Sequence, residues 1–327
     1  MLKSASPITV GALTEGALMA AIAALLGIIG IYIPILSFVT GLFWTIPIIL
    51  LIMRHDIRLG VMGLVVTGGL ISILAGPVQA ILMVVNLGGM ALAYGYCFKE
   101  KLSPMKALLL GTLITAVSTA ATLVLSAFVA NLPISQGILE MKMTIDQAFK
   151  TYENMGILDQ ILPQGVSAEQ YKEQIFRMID TLLPGAYITA SMGVALVNYL
   201  IARKILRRLR YEIPDMPPFR EWHLPWVIVW GVIGALGFLL AGNHFEHRLL
   251  VLIGQNILYI YYPLLLISGI SVAVFYWKSY QPTPPIKALI IIGIIMFNHI
   301  IFILLLLIGL FDPLFDYRRF IRAGAEK

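Results

Sequence analysis

Charge is scarce along these 327 residues: Asp, Glu, Lys and Arg together make up 12% of the chain. Soluble domains carry about twice that share, so an ordinary water-facing surface is excluded. Cysteine is nearly absent. Cys97 stands alone, which excludes an intrachain disulfide and a thiolate-based zinc site. No lysine follows a glycine, so the phosphate-cradling P-loop is missing, and neither a G-x-S-x-G elbow nor an H-E-x-x-H pair occurs. His244, Glu246 and His247 cluster but lack a third firm ligand, so no metal site is expected. The residues point to no catalysis and no cofactor, and the chain reads as a protein that is not an enzyme.

What is present is apolar: 59% of the residues, with a mean hydropathy of +0.90. A helical span needs about 20 mainly apolar residues. The runs here are continuous, not alternating, which selects helices over a membrane barrel. The expected fold is all-α, a polytopic transmembrane bundle of about nine spans: 12–33, 36–53, 59–76, 78–97, 104–130, 183–205, 225–242, 249–277 and 285–310. The Pro-rich stretch 207–224 reads as a linker between a six-span core, 1–206, and a three-span unit with its tail, 225–327.

The net charge of +6 is a topology signal, because Lys and Arg favour cytoplasmic loops. With the N-terminus inside, the cytoplasmic segments hold Lys3, Arg54, Arg58, Lys99, Lys101, Lys106, the 203–210 cluster, Arg220, Lys278 and Lys287. The insertion 131–182 then faces outside. One feature conflicts: nine spans put the tail outside as well, yet it carries Arg318, Arg319, Arg322 and Lys327. Within the insertion, Thr144 with Gln147 and Ser167 with Gln170 have capping-box spacing. They predict two short amphipathic helices, either lying at the membrane surface or forming a lid.

Lipid gives no hydrophobic reason for helices to associate, so small residues and polar bonds must hold the bundle. Gly16, Ala20 and Ala24 form such a face on the first span, suited to packing within the chain or to docking a partner helix. Asn86, Asn198, Gln255, Asn256, Asn298 and His299 fall deep in spans, where each needs an interhelical bond or a ligand. Glu15 lies near the inner end of the first span, within reach of water or Arg58.

The small-residue run G-A-L-M-A-A-I-A-A, the Pro-bearing stretch 33–47, the I-P-I-I-L-L-I run and the Gly-rich third span ending in A-G-P resemble the substrate-binding S components of energy-coupling factor transporters. The whole chain resembles the YybS-like family of uncharacterised bacterial membrane proteins, most specifically through G-L-F-D-P-L-F-D-Y-R-R at 309–319. The first resemblance implies a six-span core that binds a small molecule in an outward pocket. It also implies that an A-x-x-x-A face, here Gly16, Ala20 and Ala24 or the neighbouring Ala17 and Ala21, meets a coupling transmembrane subunit served by ATPase subunits. The long insertion and the three further spans have no counterpart in that pattern.

The expected function is therefore binding or helping transport of an unidentified small molecule, by a multi-pass protein of a bacterial plasma membrane with no nucleic-acid partner. Trp44, Gln79, Asn86, Tyr187 and Asn198 are the expected pocket walls, since aromatic faces and amides together hold and orient small ligands. The alternative is a scaffold or regulator of envelope, division or spore assembly, in which the amides only join helices and the insertion binds protein.

Overall fold

A computed structural model describes residues 9–131, 133–163 and 165–319. The predicted tail residues Arg322 and Lys327, and Lys3 at the other end, lie outside them. The chain divides into two compact units: Met1–Lys172 with Ala190–Asp215, and Glu173–Thr189 with Met216–Lys327.

The first unit contains α1 (Val10–Tyr32), α2 (Pro34–Arg54), α3 (Ile57–Ala75), α4 (Pro77–Lys99), α5 (Pro104–Ala130), α6 (Ile134–Asn154), α7 (Leu158–Ile161) and both ends of α8 (Ala168–Arg208). Their starts follow local chemistry. Prolines open α2, α4 and α5, where the missing N–H costs nothing. Thr9 caps α1, and Asp56 caps α3 by accepting from the Leu59 N–H at 2.8 Å. The core gathers Ala23, Trp44, Ile48, Ile52, Leu64 and Ala91. Ile52 of α2 is the wedge: it lies against Gly60 of α3 and Gly95 of α4, where added Cβ atoms would meet its side chain. Tyr94 of α4 donates to the Ala195 carbonyl of α8 at 2.7 Å, and Phe98 stacks on Tyr199 at 5.1 Å.

The insertion is more helical than expected. α6 starts at Ile134, ten residues before the predicted cap. Thr144 is inside the helix, its hydroxyl donating to the Glu140 carbonyl at 2.8 Å. The Ser167–Gln170 capping box forms as predicted, but the helix it opens runs on through the sixth predicted span. At 1.5 Å per residue its 41 residues extend about 60 Å, roughly twice a hydrocarbon core of about 30 Å. The helix does not stop where lipid would.

The second unit contains the middle of α8, a 3-10 turn at Phe219–Glu221, α9 (Ile228–His244), α10 (Arg248–Tyr280), α11 (Pro284–Met296) and α12 (Asn298–Phe315). Eight helices of the described chain are long and apolar enough to cross a membrane, and α9 and α11 are shorter apolar helices. The predicted span 285–310 is two helices, broken at Phe297, so Asn298 and His299 open α12 and do not occupy a span centre.

That break has a topological consequence. Tyr262 packs on Phe302 at 5.3 Å, Gly309 lies against Leu265 and Gly269, Ser271 bonds Arg318, and Tyr276 donates to the Tyr317 carbonyl at 2.8 Å. The contacts advance in the same direction along both chains, so α10 and α12 are parallel. Parallel neighbours need a return connection, and the segment from Gln281 to Phe297, mostly α11, makes it. The end of α12 therefore lies at the same end of the unit as Lys278 and the 219–222 turn. Within the second unit, the basic residues Arg318 and Arg319 thus lie at the end that also carries Arg220 and Lys278.

Candidate functional site

Of the five predicted wall residues, Trp44, Gln79, Asn86 and Asn198 belong to the first unit. Trp44 is fully buried in the α1–α4 core, and its indole N–H has no partner among the described residues. Asn198 is 1% exposed; it accepts from the Thr45 hydroxyl at 3.2 Å and donates to the Val194 carbonyl at 3.2 Å. Both are placed as packing elements. Gln79 is exposed on the first turn of α4. Asn86 is half-buried, and its amide makes no hydrogen bond among the described residues. Tyr187 belongs to the second unit. The face expected to dock a partner is occupied within the chain. Gly16 lies against Leu59 and Leu51, the Ala20 carbonyl accepts from Thr67 at 3.3 Å, and Ala24 packs with Ile71 and Ala80. Glu15 pairs with Arg54 and with His55 (Nε2–Oε2 2.8 Å), not with Arg58.

A cleft of about 630 Å³ opens in the second unit, inside the range of small-molecule sites. One wall is a stripe of α8: Gln174, Arg177, Met178, Thr181 and Leu182. The other is a stripe of α10: Gln255, Leu258, Tyr259 and Tyr262. Spacings of three and four residues put each set on one helix face. A smaller groove between α1 and α2, at Leu26, Phe43 and Leu50, has a wholly apolar lining and no group to orient a ligand.

The cleft borders Pro184 of α8, which cannot donate a backbone bond, and a side chain from α10 bonds the backbone of this turn. Asn256 Oδ1 accepts from the Gly185 N–H at 2.6 Å, and its Nδ2 donates to the Thr181 carbonyl at 2.8 Å. Those are the two groups that would bond each other in an unbroken helix. The amide has entered the backbone ladder, a recognised cause of helix bending. The interhelical bond predicted for Asn256 is present. Its role in α8 was not readable, because nothing in the sequence pairs residue 256 with residues 181 and 185.

A second polar centre lies at the basic end of the unit. Arg318 pairs with Asp312 at 2.5 Å, both almost wholly buried, and donates to the carbonyls of Arg220 (3.1 Å) and Trp222 (2.8 Å) and to Ser271 Oγ (2.9 Å). The Ser271 hydroxyl lies 2.7 Å from the Phe219 carbonyl and 2.8 Å from that of Trp222. Asp312 Oδ1 is buried without a partner among the described residues. The geometry is that of a clasp holding the linker turn, α10 and the chain end. The sequence signal was an acid and a base flanking Pro313 at the end of an apolar run.

Among the described residues, no three His, Cys, Asp or Glu side chains are placed to hold a metal ion. No solved structure matches the chain. A relative from Bacillus subtilis (strain 168), "Uncharacterized protein YybS", is 27% identical over 318 residues, covering 94% of this chain and 97% of its own length. The family described as "Predicted membrane protein (DUF2232)" matches residues 21–313. With membrane-length helices throughout and most of its length matched, the chain is an integral membrane protein and belongs to that family.

Proposed function

We propose that the protein binds a small molecule in the cleft of its second unit and helps move it at the membrane, without catalysing a reaction. The supporting observation is the cleft itself: ligand-sized, walled by aromatic and aliphatic faces, and carrying a few amide, hydroxyl and guanidinium groups that can fix orientation. Asn86 and Gln79 are the sequence-predicted wall residues of the first unit whose amides make no hydrogen bond among the described residues. If a coupling subunit with its ATPases docks on α1, Ala17 and Ala21 are the small residues left exposed to receive it, since Gly16, Ala20 and Ala24 are covered.

Native mass spectrometry of gently solubilised protein tests the reading. A small molecule should be retained by the wild type and lost from Leu258→Trp, which fills the cleft, while Ile22→Leu on the exposed side of α1 keeps it. Equal retention by wild type and Leu258→Trp would remove the cleft from the proposal.

A further inference from the structure

We infer that the occupant of this cleft is a single-chain amphiphile with an anionic head, of the fatty-acid type, its head at Arg177 and its chain along Leu182, Leu258 and Tyr262. The inference rests on the cleft being the binding site and adds the chemical class.

Three observations converge on it. The cleft carries one charged residue, and that residue is cationic. The Arg177 side chain is 72% exposed and forms an ion pair with the equally exposed Glu173 carboxylate at 3.7 Å, too long for a hydrogen bond. Its forked donors are therefore open to a carboxylate. Second, the wall away from Arg177 is apolar: Met178, Leu182 and Leu258, with the ring faces of Tyr259 and Tyr262. A small hydrophilic anion would leave those surfaces in contact with water, whereas a hydrocarbon chain covers them. Third, the amides of Gln174 and Gln255 make no hydrogen bond among the described residues, so both can complete the shell of a polar head. The two lining stripes each cover about two helical turns side by side, which makes an elongated groove fitted to one chain. Helices α8 and α10, which line the cleft, are each long and apolar enough to cross a membrane.

Asn256 gives the groove its shape. By occupying the Thr181–Gly185 gap it fixes α8 against α10 at the level of the lining, and so acts as a positioning residue.

The test uses full-length protein in phosphatidylcholine nanodiscs with a diazirine-bearing fatty acid and the matching fatty alcohol, at mildly alkaline pH. Crosslinks are mapped by peptide mass spectrometry. The acid should label the peptides holding 174–182 and 255–262 about tenfold more than the alcohol does, in keeping with a charge-assisted bond. Arg177→Gln should bring the acid down to the alcohol's level, Arg177→Lys should keep most of the difference, and Leu258→Trp should abolish both labels. Each variant is checked for an unchanged melting temperature, and the exposed position of Arg177 makes its variants safe in folding. Equal labelling of wild type by acid and alcohol, or an unchanged acid label in Arg177→Gln, would overturn the anionic class while leaving the cleft as a site. Labelling spread over the lipid-facing helices and indifferent to Leu258→Trp would overturn the inference and the cleft reading together.

Discussion

The two units approach close packing by different means. In the first, small residues meet side chains: Gly60 and Gly95 receive Ile52, Gly63 receives Leu51, and Gly27 receives Ile71 and Met83. In the second, Gly231 also meets a side chain, that of Tyr261, but several others meet backbone. A Cβ at Gly269 would strike the Leu305 carbonyl, one at Gly309 the Leu265 carbonyl, and one at Gly254 would stand 2.7 Å from the Ala235 carbonyl. The polar content differs in the same sense. The first unit keeps its Glu15–Arg54–His55 ion pairs partly exposed and buries neutral bonds such as Thr45 to Asn198, whereas the second buries an ion pair and bonds an amide to a helix backbone. Side-chain contacts can readjust after a change, and backbone contacts cannot. The second unit is therefore the one in which single substitutions should be decisive.

The largest contrast concerns the clasp. Arg318→Ala leaves the Asp312 carboxylate buried and unpaired, and removing one partner of such a pair typically costs about 3–5 kcal/mol. Replacing both, as in Asp312→Leu with Arg318→Met, should recover much of the loss. Melting temperatures in detergent check both statements, and an Arg318→Ala protein as stable as wild type would break the comparison at its strongest point.

Next come the glycines. Gly309→Ala and Gly269→Ala must push α10 and α12 apart, with a cost at or above the roughly 1–3 kcal/mol of ordinary overpacking. Gly60→Ala should cost less, because the Ile52 side chain can rotate away. Gly237→Ala, with open space around it, should be neutral. Equal destabilisation at positions 309 and 60 would show that the two units do not differ in this respect.

Asn256→Leu should rank third. It strips the Gly185 N–H and Thr181 carbonyl of their partners, and an unsatisfied buried group costs about 1–3 kcal/mol. Thr45→Val, its counterpart in the first unit, should cost near the 0.6 kcal/mol average of interhelical polar pairs in membranes. Hydrogen exchange around residues 181–185 separates a local opening in the first variant from a general loss of stability.

The smallest effect is on the surface of the first unit. Lys150 and Lys172 hold the Asp146 carboxyl at about 2, below its usual value. A depressed carboxylate contributes stability above its unfolded pKa and loses it as pH falls through the folded one. Exchange protection of α6 should therefore be unchanged between pH 7 and pH 4 and weaken only in stronger acid. Weakening already near pH 5 would exclude this tie.

Much of this contrast was hidden in the sequence, for physical reasons. The helix start at Ser167 was legible, because its capping box with Gln170 depends on neighbouring residues alone. Thr144 misled because a threonine inside a helix can bond back to a carbonyl one turn earlier. Hydropathy placed the start of the sixth span at the lipid boundary, whereas α8 continues through it and is held past Pro184 by a residue 71 positions away. The break at Phe297 carries neither glycine nor proline, so an apolar run concealed it. The one trace was the basic tail on the apparently wrong side. The cleft was unreadable because its stripes meet only once α8 and α10 are paired, and on its own each stripe looks like packing.

The central claim is that the second unit closes backbone to backbone around a broken last run, so that the chain end returns to the linker. Single cysteines at Pro217, Phe297 and Arg319, each in a Cys97→Ala background, test it with an impermeant thiol reagent applied to intact cells. All three positions are exposed in the structure. The account predicts that Phe297→Cys is labelled from outside, and that Pro217→Cys and Arg319→Cys are both protected until the cells are permeabilised. Labelling of Arg319→Cys in intact cells, with Pro217→Cys protected, would contradict it.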